Sequence, residues 1–392
     1  LPPPPLPMEG MKTGLAEHNA MILARVKSSG DHKTDMMAWE KCIDEFKSGV
    51  LIGRGIGEAG AFASLDEVAA ALGVDKDTIR LLHRFPVLEQ HGGAEVETVR
   101  LIDNCKIGGQ NLYTATSATH RPADLDKWCV LLRAVGRRLR AKLAGSTSDF
   151  KGAFKQFLNC AKQLADFVIA MHCPVSDSTV FGVPVTQLFG SGSAPLNFAR
   201  VPEWCVFAIA RLFSIVSDHC VDDILYAEAS KTVMSAFTAW RSFAELCGWV
   251  IPDEKSPPPE QRFRTLGAAT NLTPFPDLPV LIEGLPERAT VIRKELKQVL
   301  ETRKLDPGPA GKIYGRMMFR SSQFFGKFGR AKLRAFNRRQ HESGRSNLNP
   351  QLEAACRFWI DNLDAGPPRE VPFNLEERPL AVSYSDGEGT GG

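Results

Sequence analysis

The chain has 392 residues, 43% hydrophobic and 24% charged, with a mean hydropathy of −0.15 and a net charge of +3. This profile excludes a disordered chain, and no run approaches the roughly 18 apolar residues of a membrane span, so an intracellular protein of two or three packing units is expected, cytoplasmic or nuclear. Nine cysteines without a CxxC pair argue against a zinc ribbon and a disulfide framework, and +3 is too small to imply a nucleic-acid partner by itself.

LPPPPLP opens a flexible arm over residues 1–34 with no core-forming capacity, and residues 35–84 are predicted as a helical N-terminal extension. Trp39, Cys42, Ile43 and Phe46 carry the helical spacing, and Ser64 caps a short helix that ends at Gly73. HRFPVLEQ and VETVRLIDN read as two strands around a polar turn, HGGAE. Asp124 to Leu143 is an amphipathic helix with Arg133, Arg137, Arg138 and Arg140 on its polar side. A helix near Pro195–Val216 follows, then one at Lys231–Leu246 leading into a strand, GWVIP. SPPPEQ breaks the chain before a strand in FRTLG, and charged helices are predicted at Glu287–Arg303 and Leu352–Leu363. A Pro/Gly linker spans Ala365 to Arg369, and the last strand-like piece is Leu380–Tyr384.

Three acidic positions stand out. Asp149 follows a Gly-Ser-Thr-Ser loop, and taken alone it reads as a cap or turn residue. Asp222 and Asp223 form a doublet between short apolar runs, at the expected tip of a hairpin. Two carboxylates forced into one small volume repel unless a cation sits there, and a third from a neighbouring strand would complete an oxygen-rich site for Mg²⁺. The histidines, in the pairs His172-Cys173 and His219-Cys220, lack ligand spacing and read as structural.

The order VRLIDN, SDFKGAF, LFGSGSAPLNF, VDDIL, GWVIPDEKS and FRTLG resembles the fingers and palm motifs of reverse transcriptases, particularly those of LTR-type and tyrosine-recombinase retrotransposons. GRMMFRSSQFFGKFGRAKLR and LEAACRFWIDNL resemble the thumb and connecting helices, and AVSYSDGEG resembles the start of a ribonuclease H domain with Asp386 as its first carboxylate. The resemblance implies an α+β right-hand polymerase fold. Fingers and an antiparallel palm sheet would span residues 85–270, thumb and connection 271–365, and a linker with a truncated ribonuclease H start 366–392. It implies an RNA-directed DNA polymerase that takes an RNA or DNA template with its primer, deoxynucleoside triphosphates and Mg²⁺ or Mn²⁺. Asp149, Asp222 and Asp223 would hold the metals, the Phe150 carbonyl would assist, and Lys255 would donate a proton to pyrophosphate. Phe154 would exclude a 2′-hydroxyl from beneath the sugar; Phe189 and Gly190 would meet the nucleotide and Arg100 its triphosphate. Glycines 190 and 192 let backbone approach a ligand, and Ser193 is expected to cap the following helix.

Thr98 stands where relatives usually carry Lys, Asn104 where Asp is expected, and FLNCAKQLADFVIAMHC looks like an insertion after the first palm motif. These departures keep a second reading open, a degenerate copy that binds nucleic acid or self-assembles without polymerising. Lys312 to Arg345 carries ten Lys and Arg residues against one acid, Glu342. Phenylalanines 319, 324, 325 and 328 interleave with Arg316, Arg320, Lys327 and Arg330. That pattern predicts a helix packed on one side and facing a duplex backbone on the other.

Overall fold

The computed structural model describes residues 8–54, 60–90, 97–114, 122–323, 328–364 and 368–373. In chain order its first elements are α1 (Leu15–Leu23), α2 (His32–Lys47), β1 (Leu51–Ile52), α3 (Leu65–Leu72), β2 (Leu81–Gln90), β3 (Glu97–Asp103) and α4 (Leu125–Leu139). Then come β4 (Leu143–Asp149), β5 (Val168–Cys173), β6 (Ser178–Pro184), α5 (Ala194–Phe213), β7 (Ser217–Cys220), β8 (Asp223–Ala229) and α6 (Val233–Leu246). The rest are β9 (Arg262–Thr265), β10 (Ala268–Asn271), β11 (Val280–Glu283), α7 (Pro286–Thr302), α8 (Pro307–Ser322), α9 (Arg330–Arg339), α10 (Pro350–Asn362) and β12 (Arg369–Val371).

Local chemistry sets many of these limits. Ser64 Oγ accepts the Glu67 N–H at the start of α3, and Gly73 closes the helix in the left-handed region, as its sequence predicts. Asp124 caps α4 through the Lys127 N–H at 2.8 Å, and Asn349 caps α10 through the Leu352 N–H at 2.8 Å.

Three sheets result. The first, ordered β1-β6-β5-β2-β3, is antiparallel except where β2 runs parallel to β5, and α2 packs against it. The second, β4-β8-β7, is antiparallel and rests on α5 and α6 through an aromatic core that includes Phe150, Phe198 and Trp240. The third is β12-β11-β10-β9, covered by α4 through Trp128 and Leu132. A backbone bridge between Gly145 and Glu260 joins the last two sheets, and a Cβ at Gly145 would meet the Tyr226 carbonyl at 2.6 Å. Helices α7 to α10 close a separate core around Leu296, Phe336 and Trp359.

Several expectations need correction. The Gly-Ser-Thr-Ser segment is strand β4: Ser146 Oγ donates to the Pro257 carbonyl at 2.5 Å and Ser148 Oγ shares a proton with Ser256 Oγ at 2.8 Å, so its polar side chains are satisfied inside the fold. GWVIP is not a strand. Val250 bonds the Lys151 N–H and the Gln156 side chain instead of a ladder, and Trp249 stacks on Phe157. Residues 35–82 are not continuously helical, because β1 and the start of β2 lie within them. The predicted basic helix is two helices, α8 and α9. Gly329 separates them at φ +66°, where a Cβ would press on the Trp359 ring. Arg369, placed in a linker, begins β12 and pairs with Asp126 at 2.5 Å. The HGGAE turn, Lys327, Phe324, Phe325, Leu380–Tyr384 and Asp386 lie outside the described residues.

Candidate active site at the β7–β8 hairpin

The hairpin is built as its doublet suggests. Cys220 pairs with Asp223, leaving Val221 and Asp222 as a two-residue tip. Val221 sits at φ +56°, a left-handed conformation that a tight hairpin turn requires and a β-branched residue adopts only under strain. Strand β4 lies beside β8 in a register that puts Asp149 opposite Asp223, and the Phe150 N–H donates to the Asp222 carbonyl at 3.3 Å. The loop after β4 and the hairpin tip are thereby locked together, and all three carboxylates sit at one end of the sheet.

Charge at this end is unbalanced. Burial first, and then the charge of Asp149, pushes the Asp222 carboxyl above its ordinary range. Burial, reinforced by Asp222 and Asp149, raises Asp223 to about 6. Lys255, on a short 3₁₀ turn after α6, forms an ion pair with Asp149 Oδ2, and that bond raises its own pKa. The other Asp149 oxygen, Oδ1, is buried without a hydrogen-bond partner. One ammonium against three carboxylates leaves a deficit of positive charge that a divalent cation would fill, and hard oxygen donors suit Mg²⁺. As they stand, the described residues gather no group of three His, Cys, Asp or Glu side chains closely enough to hold a metal ion. The donor set that fits is therefore Asp149 with Asp222, with Asp223 adding charge from behind.

A cleft of about 550 Å³ opens beside these carboxylates. Asp222 and Lys255 line one side, and Lys41, Thr98, Arg100 and Lys155 line the other. Arg100 is exposed on β3, as a triphosphate contact would need to be, and the Thr98 hydroxyl is buried without a partner. The half-exposed Phe189 ring lines the cleft and packs on Phe154 at 5.0 Å, while Phe154 is buried against Phe198 at 5.5 Å. The ring predicted to face the sugar thus supports the ring that does face the cleft. Gly190 is needed for a contact within the chain: a Cβ there would run into the Asp103 carbonyl. Ser193 does not cap α5, since its hydroxyl bonds Ser191 Oγ at 3.0 Å. The Phe150 carbonyl accepts the Ala153 N–H at 3.4 Å.

Sequence reasoning missed a second charged cluster on the far wall. The Arg84 guanidinium is buried, donates to both Asp103 oxygens at 2.6 and 3.0 Å, and reaches Glu45 Oε2 at 2.7 Å. Glu45 also pairs with Lys155, whose ammonium lies 6.0 Å from the Phe189 ring centre. Burial opposes the Glu45 charge, but Arg84 and Lys155 outweigh it and lower its pKa.

Of the predicted duplex contacts, Arg316 is exposed in an ion pair with Glu295, and Arg330 is exposed at the start of α9. Arg320 does not fit that role. It is 9% exposed and donates to the Leu363 carbonyl at 2.8 Å and to Gln323 at 2.5 Å, fastening α8 to the end of α10.

No protein-family model matches the chain, and no curated protein matches it. Among solved structures it is similar to the foamy viral protease–reverse transcriptase bound to double-stranded DNA, with a TM-score of 0.56 and 13% identity. The match covers 94% of this chain and 63% of that one, so the chain spans less than two thirds of the neighbour's length. The fold is that of a reverse-transcriptase-like polymerase. Among the described residues no helix is long and apolar enough to cross a membrane.

Proposed function

We propose that the chain is a reverse transcriptase, an RNA-directed DNA polymerase adding deoxynucleotides to a primer 3′-hydroxyl. The observation that carries this reading is the trio Asp149, Asp222 and Asp223 at one end of the β4-β8-β7 sheet, the palm of this reading, with two raised pKa values, a buried unpartnered Asp149 oxygen, and Asp222 lining a cleft rich in cations. Mg²⁺ held by Asp149 and Asp222 would polarise the reacting phosphate and favour the ionised hydroxyl. The chain's own groups do the rest. Arg100, Lys41 and Lys155 draw the triphosphate into the cleft, Phe189 on its Phe154 support shapes the sugar's floor, and Lys255 stands within proton-transfer reach of the departing pyrophosphate. Arg316 and Arg330 contribute to a duplex track on the thumb, where template and primer are gripped by backbone and shape.

The domain reading keeps residues 85–270 as fingers and palm and 271–365 as thumb and connection, but the strand pairings of β1 and β2 draw α2 and its surroundings into the fingers. A retrotransposon origin and a ribonuclease H start after residue 366 belong to this reading through sequence resemblance alone. The second reading, a copy that binds nucleic acid without polymerising, rests on Thr98, whose hydroxyl replaces a cation in the triphosphate wall. Primer extension on poly(rA)·oligo(dT) with Mg²⁺ or Mn²⁺ separates the two. Extension that disappears in Asp149→Asn and in Asp222→Asn, with duplex binding retained, supports polymerisation. Well-folded, duplex-binding protein that extends nothing supports the second reading.

A further inference from the structure

Helix α5 buries one face, through Phe198, Cys205 and Ile209, and leaves much of the opposite face exposed, with Trp204 and Phe213 resting partly on Phe243 of α6. Glu203, Trp204, Phe207, Ala210 and Arg211 are all exposed there, at the three- and four-residue spacing of a single stripe. Phe207 is 65% exposed, Trp204 50% and the neighbouring Phe213 45%. Three rings at that exposure leave on the order of 300 Å² of apolar surface in water, the size at which a patch marks an interaction site. Leu212 beside them, 64% exposed, extends it.

The stripe has a property that a foreign partner would not require, because it is complementary to its own reverse. Counting outward from Phe207, Glu203 and Arg211 lie four residues to either side with opposite charge. Trp204 and Ala210 lie three residues to either side, one large and one small. Laid antiparallel on a second copy about a two-fold axis through Phe207, each Glu203 meets an Arg211 and each Trp204 covers an Ala210. A two-fold interface makes every such contact twice. Among the described residues neither Glu203 nor Arg211 is already held in an ion pair. Tryptophan and arginine are also the residue types that most often dominate binding energy at interfaces.

We propose that the outer face of α5 is the two-fold interface of a homodimer, formed by antiparallel packing of α5 on α5. None of these residues lines the cleft, so the pairing uses none of the cleft's walls. The proposal is independent of the polymerase reading, because it requires no nucleotide and no metal.

Analytical ultracentrifugation of the 392-residue chain from about 1 to 100 μM tests it. A concentration-dependent dimer is expected. Glu203→Arg and Arg211→Glu each place like charges across the axis, so each should weaken the dimer about tenfold or more. The double variant should regain wild-type affinity, and the two single variants mixed should form a heterodimer, since their charges then match at both contacts. Phe207→Glu should give monomer with an unchanged circular-dichroism spectrum. A chain that stays monomeric throughout the range overturns the proposal. So does a dimer that both single charge reversals leave intact.

Discussion

The two charged clusters that face each other across the cleft are built on opposite principles. Around α2 and β2, Arg84 and Lys155 stand against Glu45 and Asp103, so the charges balance and nearly every donor is spent on a carboxylate. At the β7–β8 hairpin, Lys255 stands against Asp149, Asp222 and Asp223, and an oxygen of Asp149 has no partner. The Arg84 cluster is the more deeply buried and the hairpin carboxylates are half-buried, but depth of burial does not decide what each cluster does. Balance does: a closed set holds two elements in register, and an open set stores repulsion that a ligand can relieve. The closed cluster also explains how α2 comes to shape the cleft, for Glu45 ties it to both β2 and the loop after β4.

The largest effect is expected where balance is broken. Arg84→Met leaves Glu45 and Asp103 buried without their main cation and should lower the unfolding free energy by about 3–5 kcal/mol in urea titration. A loss below about 1 kcal/mol would mean that the cluster contributes little to holding α2 against β2.

The hairpin cluster should respond in the other direction. Because the folded Asp223 carboxyl titrates near 6, above its ordinary 3.8, its protonated form favours the folded state. That stability is fully present below about pH 4 and is lost as pH rises through 6. In EDTA at pH 7.5, Asp223→Asn should therefore stabilise the chain by about 2 kcal/mol, a gain that should vanish by pH 4, and in Mg²⁺ the same variant should impair extension. Glu45, with its lowered pKa, has the opposite sign: its contribution is present above its unfolded pKa and is lost only as pH falls below it. A stability profile in which Asp223→Asn costs stability at pH 7.5 would reverse the assignment of the open cluster.

The smallest effect concerns the aromatic floor between the clusters. Phe154→Val removes the support beneath Phe189, so the ratio of ribonucleotide to deoxynucleotide use should rise about tenfold, or 1.4 kcal/mol. An unchanged ratio, with deoxynucleotide use intact, would make Phe154 a packing residue only.

These clusters also show what a sequence can disclose. The doublet hairpin was legible because its strands, tip and carboxylates are contiguous, and the α3 cap because Ser64 and Gly73 act locally. Arg84 was not, since its partners lie 39 residues before it and 19 after it. Strand β4 was misread because its small polar residues mimic a loop until Pro257 and Ser256 satisfy them. The basic stretch read as a helix packed on one side with Arg320 among the residues facing a duplex on the other, yet Arg320 is turned inward by a carbonyl at Leu363 that no local pattern announces. GWVIP had a strand's composition but meets side chains and single backbone groups in place of a neighbouring strand.

The pairing of β11 with β12 has a mechanical consequence. Ile282 lies opposite Arg369, so the chain leaves the third sheet beside the point at which it returns, and the whole bundle from α7 to α10 is an excursion between two adjacent strands. A lobe hung from one strand can swivel in any direction, whereas one hung from two neighbouring strands swings like a door on two hinge pins. Arg369 clamps the second pin to Asp126, and Arg133 and Arg137 hold the residues beyond it through the carbonyls of Pro372 and Phe373. The arginines on the polar side of α4 therefore serve as the hinge's mounting, and through them the arc of the helical bundle is set by a helix that lies on the sheet itself.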